Sequence, residues 1–343
     1  MTDRTDQLSF QQKVWIAGGI IALIAVIILL LKTTFNVLLL VLAGVLIAVF
    51  FKGFAGLIQS KTGWKEGIST VLSVVITLVV LVLMFWLMGA KIQQQAAQLS
   101  DTLPKTIDKA KDWIDDSPLG QKVVERLSSS DNTNKAQSII QTFFTSTFGV
   151  LGDIYVVLFL GLFLTASPHV YTKGIVKLVP AAGRPKAEDL LRKLGQNLKK
   201  WLKGKLFSMF IVFVLTAIGL AIIGVPMWLV LALIAGLISF IPNFGPMIAL
   251  VLAALVGLMQ SPSTALWIAG LYILVQILES NLITPMVQQK LISVPPALLL
   301  FGQMVMGVLT GGWGLLLATP VFLIVMILVQ ELYIKKQDQK DAT

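Results

Sequence analysis

MWLVLALIAGLISFIPNFGPMIALVLAALVGLM, residues 227–259, decides the fold. Two apolar runs, Met227 to Ile241 and Met247 to Met259, flank Pro242-Asn243-Phe244-Gly245-Pro246. A transmembrane helix needs about 20 residues to cross ~30 Å of hydrocarbon, and each run is shorter than that. Two prolines and a glycine in the break stop a through-going helix. A re-entrant helical hairpin with its tip at Pro242–Pro246 fits these lengths better than two crossings.

Working outward, the same design returns after Pro295-Pro296. Ala297 to Leu309 and Leu315 to Val329 flank Thr310-Gly311-Gly312-Trp313-Gly314. Each hairpin follows a full span: Leu206 to Ile223, ended by Gly224-Val225-Pro226, and Ser263 to Ile283. One unit is entered from inside and the other from outside, so the C-terminal half reads as an inverted repeat. The alternative is eight short-to-full spans. A hairpin and a pair of short spans return to the same side, so charge topology leaves both open.

Upstream, Val14 to Leu31, Phe35 to Phe51 and Ile68 to Met88 are each long enough to span, and Thr147 to Ala166 is a fourth. Only Lys32 to Thr34 separate the first two, which predicts a tight antiparallel pair. The fold class is an all-α polytopic membrane protein, with about six full transmembrane helices plus two re-entrant hairpins. Its segments are 1–90 (helices 1–3), 91–146 (an extracytoplasmic helical region) and 147–167 (helix 4). Then come 168–205 (a basic cytoplasmic amphipathic segment), 206–262 (helix 5 and the first hairpin), 263–333 (helix 6 and the second) and 334–343 (a tail). With 56% hydrophobic residues, 13% charged and a mean hydropathy of +0.87, the chain is too apolar for a water-soluble core.

Lys and Arg set the orientation. His169 to Lys205 carries ten of them against Glu188 and Asp189, which marks this segment as cytoplasmic. Counting back, the charge-neutral 91–146 region lies outside, while the Lys52–Lys65 loop and both termini lie inside. Leu190, Leu191, Leu194, Leu198, Trp201 and Leu202 share one helical face within a basic surround. That pattern predicts a helix lying in the membrane interface. In 91–146, Ile92, Ala96, Leu99, Leu103, Ile107, Ala110 and Ile114 form a heptad-like stripe, for packing within that region or for self-association. His169, at a membrane border, is an interfacial residue or a proton sensor.

Chemistry points to one place. Between Leu206 and Gln330 the only charged residues are Glu279 and Lys290, and Glu279 falls where hydrocarbon is expected. A carboxylate there costs roughly 2.5–3.5 kcal/mol on insertion scales unless it faces a polar interior or is protonated. Gln276, Ser280 and Asn281 lie beside it, and Pro285 frees a backbone carbonyl one turn earlier. Gln303 interrupts another apolar run. The candidate solute- or ion-binding set is therefore Pro242, Asn243, Gly245, Pro246, Gln276, Glu279, Ser280, Asn281, Pro285, Gln303, Thr310 and Gly311. A sodium ion at Glu279 and Asn281 is included. The bland reading of Glu279 is a protonated acid hydrogen-bonding two helices; that of the tips is turn-making alone.

The chain lacks cysteine, a GxxxxGK[ST] loop and an HExxH pattern. No cofactor, ATP site or intramembrane enzyme is expected. The +10 charge belongs to the cytoplasmic face of a membrane protein, with no nucleic-acid partner implied.

Gly224-Val225-Pro226, Ile241 to Pro246, Gln276 to Pro285, Pro295-Pro296, Gly307 to Pro320 and Asn197 to Leu206 together resemble the autoinducer-2 exporter family of bacterial and archaeal inner-membrane proteins. The resemblance implies a homo-oligomeric secondary exporter of a small polar solute, coupled to protons or sodium, with elevator-like movement of a hairpin-bearing domain. Some relatives are associated with sodium–proton exchange. Where many members carry a lysine-rich signature and histidine, this chain has Lys290 to Pro295, which leaves the substrate open. The readings to separate are solute exporter, sodium/proton antiporter, and a non-transporting scaffold acting through 91–146.

Overall fold

In the computed structural model, which describes residues 10–80, 82, 83, 86, 147–283, 285 and 296–334, every regular element is a helix. The order is α1 (Phe10–Thr62), α2 (Glu66–Val80), α3 (Thr147–Ala166), α4 (Pro168–Lys177), a 3₁₀ turn (Ala181–Gly183) and α5 (Arg184–Ile223). Then follow α6 (Trp228–Ile238), α7 (Phe244–Leu258), α8 (Pro262–Leu278), a π turn (Glu279–Ile283), α9 (Pro296–Thr310), α10 (Gly312–Val329) and a second π turn (Gln330–Ile334). The 91–146 stripe, Lys290 and the tail lie outside the described residues.

Among the described residues four helices are long and apolar enough to cross a membrane: Thr34–Thr62, Ala181–Ile223, Pro262–Ile283 and Gly312–Ile334. The α3–α4 pair, bent by 88° at Ser167, adds a fifth if it is one span. The expected antiparallel pair at Lys32–Thr34 is absent, because α1 runs unbroken for 53 residues. Lys32, Thr33 and Thr34 include no glycine or proline, and three such residues have no reason to leave the helix. The expected third span is described only in part.

α5 is the spine. Its first half joins a cluster with α1, α3, α9 and α10 through Leu198, Trp201 and Leu202, against Leu39, Leu46, Leu317 and Leu323. Its second half joins another through Leu220, with Leu231 of α6, Ala249 and Ala253 of α7, and Ile268 and Tyr272 of α8. A Schellman-type end at Gly224 (φ 77°) turns the chain into α6, with the Val225 amide donating to the Leu220 carbonyl. The amphipathic face at Trp201 therefore packs on protein rather than on lipid, and Trp201 is 6% exposed. Hydrophobic periodicity finds an apolar face without saying what covers it.

The outward surface is apolar. Val308 is 85% exposed, Ile222 80% and Leu266 73%, as a lipid-facing surface requires. Lipid gives apolar helices no reason to associate, so close contacts rely on small residues. α6 and α7, of 11 and 15 residues, are about 16 and 22 Å long and pack on each other across the Pro242–Pro246 turn, an arrangement common to a re-entrant hairpin and to two short spans. The second pair is unequal. α9 has 15 residues, but the α10 helix continues to Ile334 and is long enough to span.

α1 crosses α3 where Gly44 meets Gly161. A Cβ on Gly161 would lie 2.5 Å from Cγ2 of Ile47 and 3.3 Å from the Gly44 carbonyl oxygen. Gly161→Leu is expected to lower stability by about 1–3 kcal/mol through overpacking. Thermal unfolding in detergent tests this, with Gly174→Leu, where nothing lies within 4 Å, as a helical control that should lose no stability.

Candidate functional site

Pro285 carries no amide hydrogen and crowds the carbonyl four residues back, so the α8 helix cannot continue regularly through Asn281. The chain widens into the π turn Glu279–Ile283 immediately before it, a feature frequent at functional sites. Glu279 begins that turn and is 7% exposed. One carboxylate oxygen, Oε1, accepts a 2.7 Å hydrogen bond from Ser208 Oγ and stands 3.7 Å from Lys205 Nζ, both on α5.

The pair is finely balanced. At 3.7 Å, an effective dielectric constant of about 20 gives roughly 4 kcal/mol of attraction. Removing each ion from water costs several kcal/mol. Attraction and desolvation are therefore comparable, and a proton or competing cation at Glu279 would leave the Lys205 ammonium without its partner.

α5 presents Lys205, Ser208, Val212 and Thr216 at steps of three, four and four, and α8 presents Tyr272, Gln276 and Glu279 at four and three. Both spacings place the residues on one helical face. Val212 and Thr216 of the first face and Tyr272, Gln276 and Glu279 of the second enclose a narrow crevice with Pro246 and Ala249 of α7. Thr216 Oγ1 and the Tyr272 hydroxyl, both buried, line it without a hydrogen-bond partner. A buried hydroxyl left unpaired costs about 1–3 kcal/mol, so these two are the polar groups of the crevice still free to bond. An organic solute does not fit.

The first tip is held from its other side. Asn243 adopts φ 65°, and a Cβ at Gly245 would collide with the Ile238 carbonyl, so this turn needs glycine there. Gln303 of α9, fully buried, donates from Nε2 to the Pro242 carbonyl at 3.2 Å, and its Oε1 faces Asn243 Nδ2 at 3.4 Å. Phe240 stacks edge-on against Trp201, with ring centroids 5.7 Å apart. At the second tip Gly311 has φ 65°, Thr310 Oγ1 donates to the Met306 carbonyl, and Trp313 Nε1 donates to Asp153 Oδ2 of α3 at 2.7 Å.

Of the residues expected from sequence, Pro246, Gln276 and Glu279 meet in the crevice, and Pro242, Asn243 and Gln303 meet at the first tip. Ser280, Asn281 and Pro285 are exposed. Ser280 bonds the Gln276 carbonyl, and Asn281 Nδ2 donates to the Ile277 carbonyl at 2.9 Å, so Asn281 does not join Glu279 in an ion site. Thr310 and Gly311 sit at the other tip. Lys205, Ser208, Thr216, Tyr272, Asp153 and Trp313 were not foreseen. The helical spacing of Lys205, Ser208 and Thr216 was the available signal.

The AI-2E family transporter profile matches residues 19–334. The chain belongs to the AI-2E transporter family. Among curated proteins, YueF of Bacillus subtilis, provisionally named a transport protein, is 27% identical over 239 residues, covering 68% of this chain and 63% of YueF. MT0215 of Mycobacterium tuberculosis, named in the same way, is 29% identical over 63% of this chain and 61% of its own. PerM of Escherichia coli, provisionally named a permease, is 23% identical over 53% of each. The chain thus spans about half to three-fifths of these relatives, and none of their names states a substrate.

For this AI-2E family member the Lys205–Glu279 pair has a stability signature. Lys205→Met and Glu279→Gln should each destabilise by about 3–5 kcal/mol, by stranding or removing one buried charge, while the double variant recovers most of the loss. Thermal unfolding of the four proteins in detergent checks the order; single variants as stable as the wild type would contradict it.

Proposed function

We propose that this chain is a secondary active transporter of the inner membrane that exports a small polar solute of the autoinducer-2 type, driven by protons or sodium. The observation that carries the proposal is the buried Lys205–Glu279–Ser208 cluster beside a hairpin tip. Family membership supports the transport role. The coupling ion binds at Glu279 by displacing Lys205, a tethered cation that competes for the same carboxylate. The solute binds at the broken backbone of the tips, where Pro242, Asn243 and Gln303 already exchange hydrogen bonds. Exposed carbonyls and amides at such breaks recognise a neutral polar molecule without an arginine clamp. Elevator-like movement of the hairpin-bearing part, in a homo-oligomer, carries the site between the two faces.

A second reading, a sodium/proton antiporter, draws support from the crevice itself. Its narrow space and unpaired Thr216 and Tyr272 hydroxyls suit an ion better than an organic solute.

Proteoliposome counterflow with a panel of small polar solutes, under imposed proton or sodium gradients, tests both. Wild-type protein should accumulate a solute in a gradient-dependent way. The Lys205→Met/Glu279→Gln double variant should lose at least about tenfold of that dependence, the usual scale for a lost charge-assisted interaction. Solute flux indifferent to either gradient overturns the coupling scheme. Sodium-dependent proton flux with no solute transport selects the antiporter.

A further inference from the structure

A second site lies away from Glu279. α1 and α5 border a groove of about 480 Å³ whose walls are almost wholly apolar. Phe50, Phe54 and Leu57 form one side and Leu202 and Leu206 the other. Its floor is low because Gly53 and Gly56 carry no side chain there; the Lys199 stem passes over them, 3.4 Å from a Cβ placed on Gly53. Lys199 and Lys203, one turn apart on α5, supply the charge at the groove.

Lys199 and Lys203 border the groove, whereas Lys200 between them does not. Lys52 is paired with Glu66, Lys193 with Asp189 and Glu331, and Lys205 with Glu279. Among the described residues Lys199 and Lys203 have no carboxylate partner. They occupy the place where α5 passes from its charged segment to its apolar one, a position that suits the headgroup level of a bilayer. Lysine stems lie along apolar surface with the ammonium at the polar boundary, and basic pockets between helices bind anionic headgroups.

We infer that this groove is a binding site for an anionic phospholipid, with the phosphate on Lys199 and Lys203 and an acyl chain along Phe50, Phe54 and Leu57. A second copy of the chain is a poorer occupant, since a protein of net charge +10 brings more cations to two unpaired lysines. Free phosphate leaves the apolar walls uncovered.

The test is native mass spectrometry of the whole chain, purified in detergent and exposed to phosphatidylglycerol or phosphatidylcholine of identical acyl chains. Phosphatidylglycerol should be retained about thirtyfold better, about fivefold for each lysine at a membrane surface. Lys199→Ala/Lys203→Ala should abolish that preference. Gly56→Leu, which favours the helix and meets nothing closer than Lys199 Nζ at 3.8 Å, should reduce retention of both lipids. Equal retention of the two lipids overturns the inference, as does a preference that survives loss of both lysines. Displacement of phosphatidylglycerol by equimolar glycerol phosphate would reduce the site to an anion contact and overturn it too. So would a Gly56→Leu protein that dissociates from its oligomer while keeping its lipid, since the groove would then belong to a second copy.

Discussion

An ammonium and a carboxylate, 3.7 Å apart and nearly out of reach of solvent, impose the conditions under which this molecule folds. Neither charge is tolerable alone in such surroundings, and the two together roughly break even. The helices bearing them must therefore stay in register. α5 does this by running for 40 residues without a break, so that Lys205 and Ser208 are fixed relative to both apolar clusters it joins. α8 does it by holding Glu279 on the face of Tyr272 and Gln276 at its last regular turn, where the π turn before Pro285 begins.

Around that pair the polar groups divide into two sets with different freedom. Those at the tips are committed: Gln303 holds the Pro242 carbonyl, and Asp153 holds the Trp313 indole. Those in the crevice are not, since Thr216 and Tyr272 have hydroxyls to spare. A committed group supports structure and gives up its partner only in exchange for another. An uncommitted one in a low-dielectric place carries an unmet desolvation cost. The contrast separates the unpaired hydroxyls beside Glu279 from the hydrogen-bonded groups that hold the tips.

How much of this was legible in the sequence depends on what each signal measures. Glu279 stood out because a lone charge in a long apolar run has few innocent explanations. The proline–glycine breaks stood out because backbone chemistry forces them, and both appear as helix ends at Asn243 and Gly311. Lys205 was hidden as the last of ten cations in a basic segment; only the continuity of α5 places it one turn from Ser208. Asn281 misled for the opposite reason. It is near Glu279 in sequence, but positions one and two apart on a helix point in different directions. Likewise, two apolar stretches flanking Lys32–Thr34 resemble a pair of spans, yet without a helix breaker between them they form one helix.

The connections of the first hairpin bear on the proposed elevator-like movement. α6, α7 and α8 share the second apolar cluster with the latter half of α5, and α1, α3 and α10 share the first with its earlier half. A rigid-body displacement between the two groups cannot leave α5 straight. It would also have to part Gln303 from Pro242 and Trp201 from Phe240, the contacts that cross between them. With the Asn243–Gln303 bond these make two neutral hydrogen bonds and one aromatic edge contact, each worth about 1 kcal/mol. Lys205 stands only three residues past Leu202 of the first cluster, so the Lys205–Glu279 pair lies at the junction itself. The uncharged contacts would give way more readily than the charge pair, whose carboxylate has to exchange Lys205 for an incoming cation before it parts from α5.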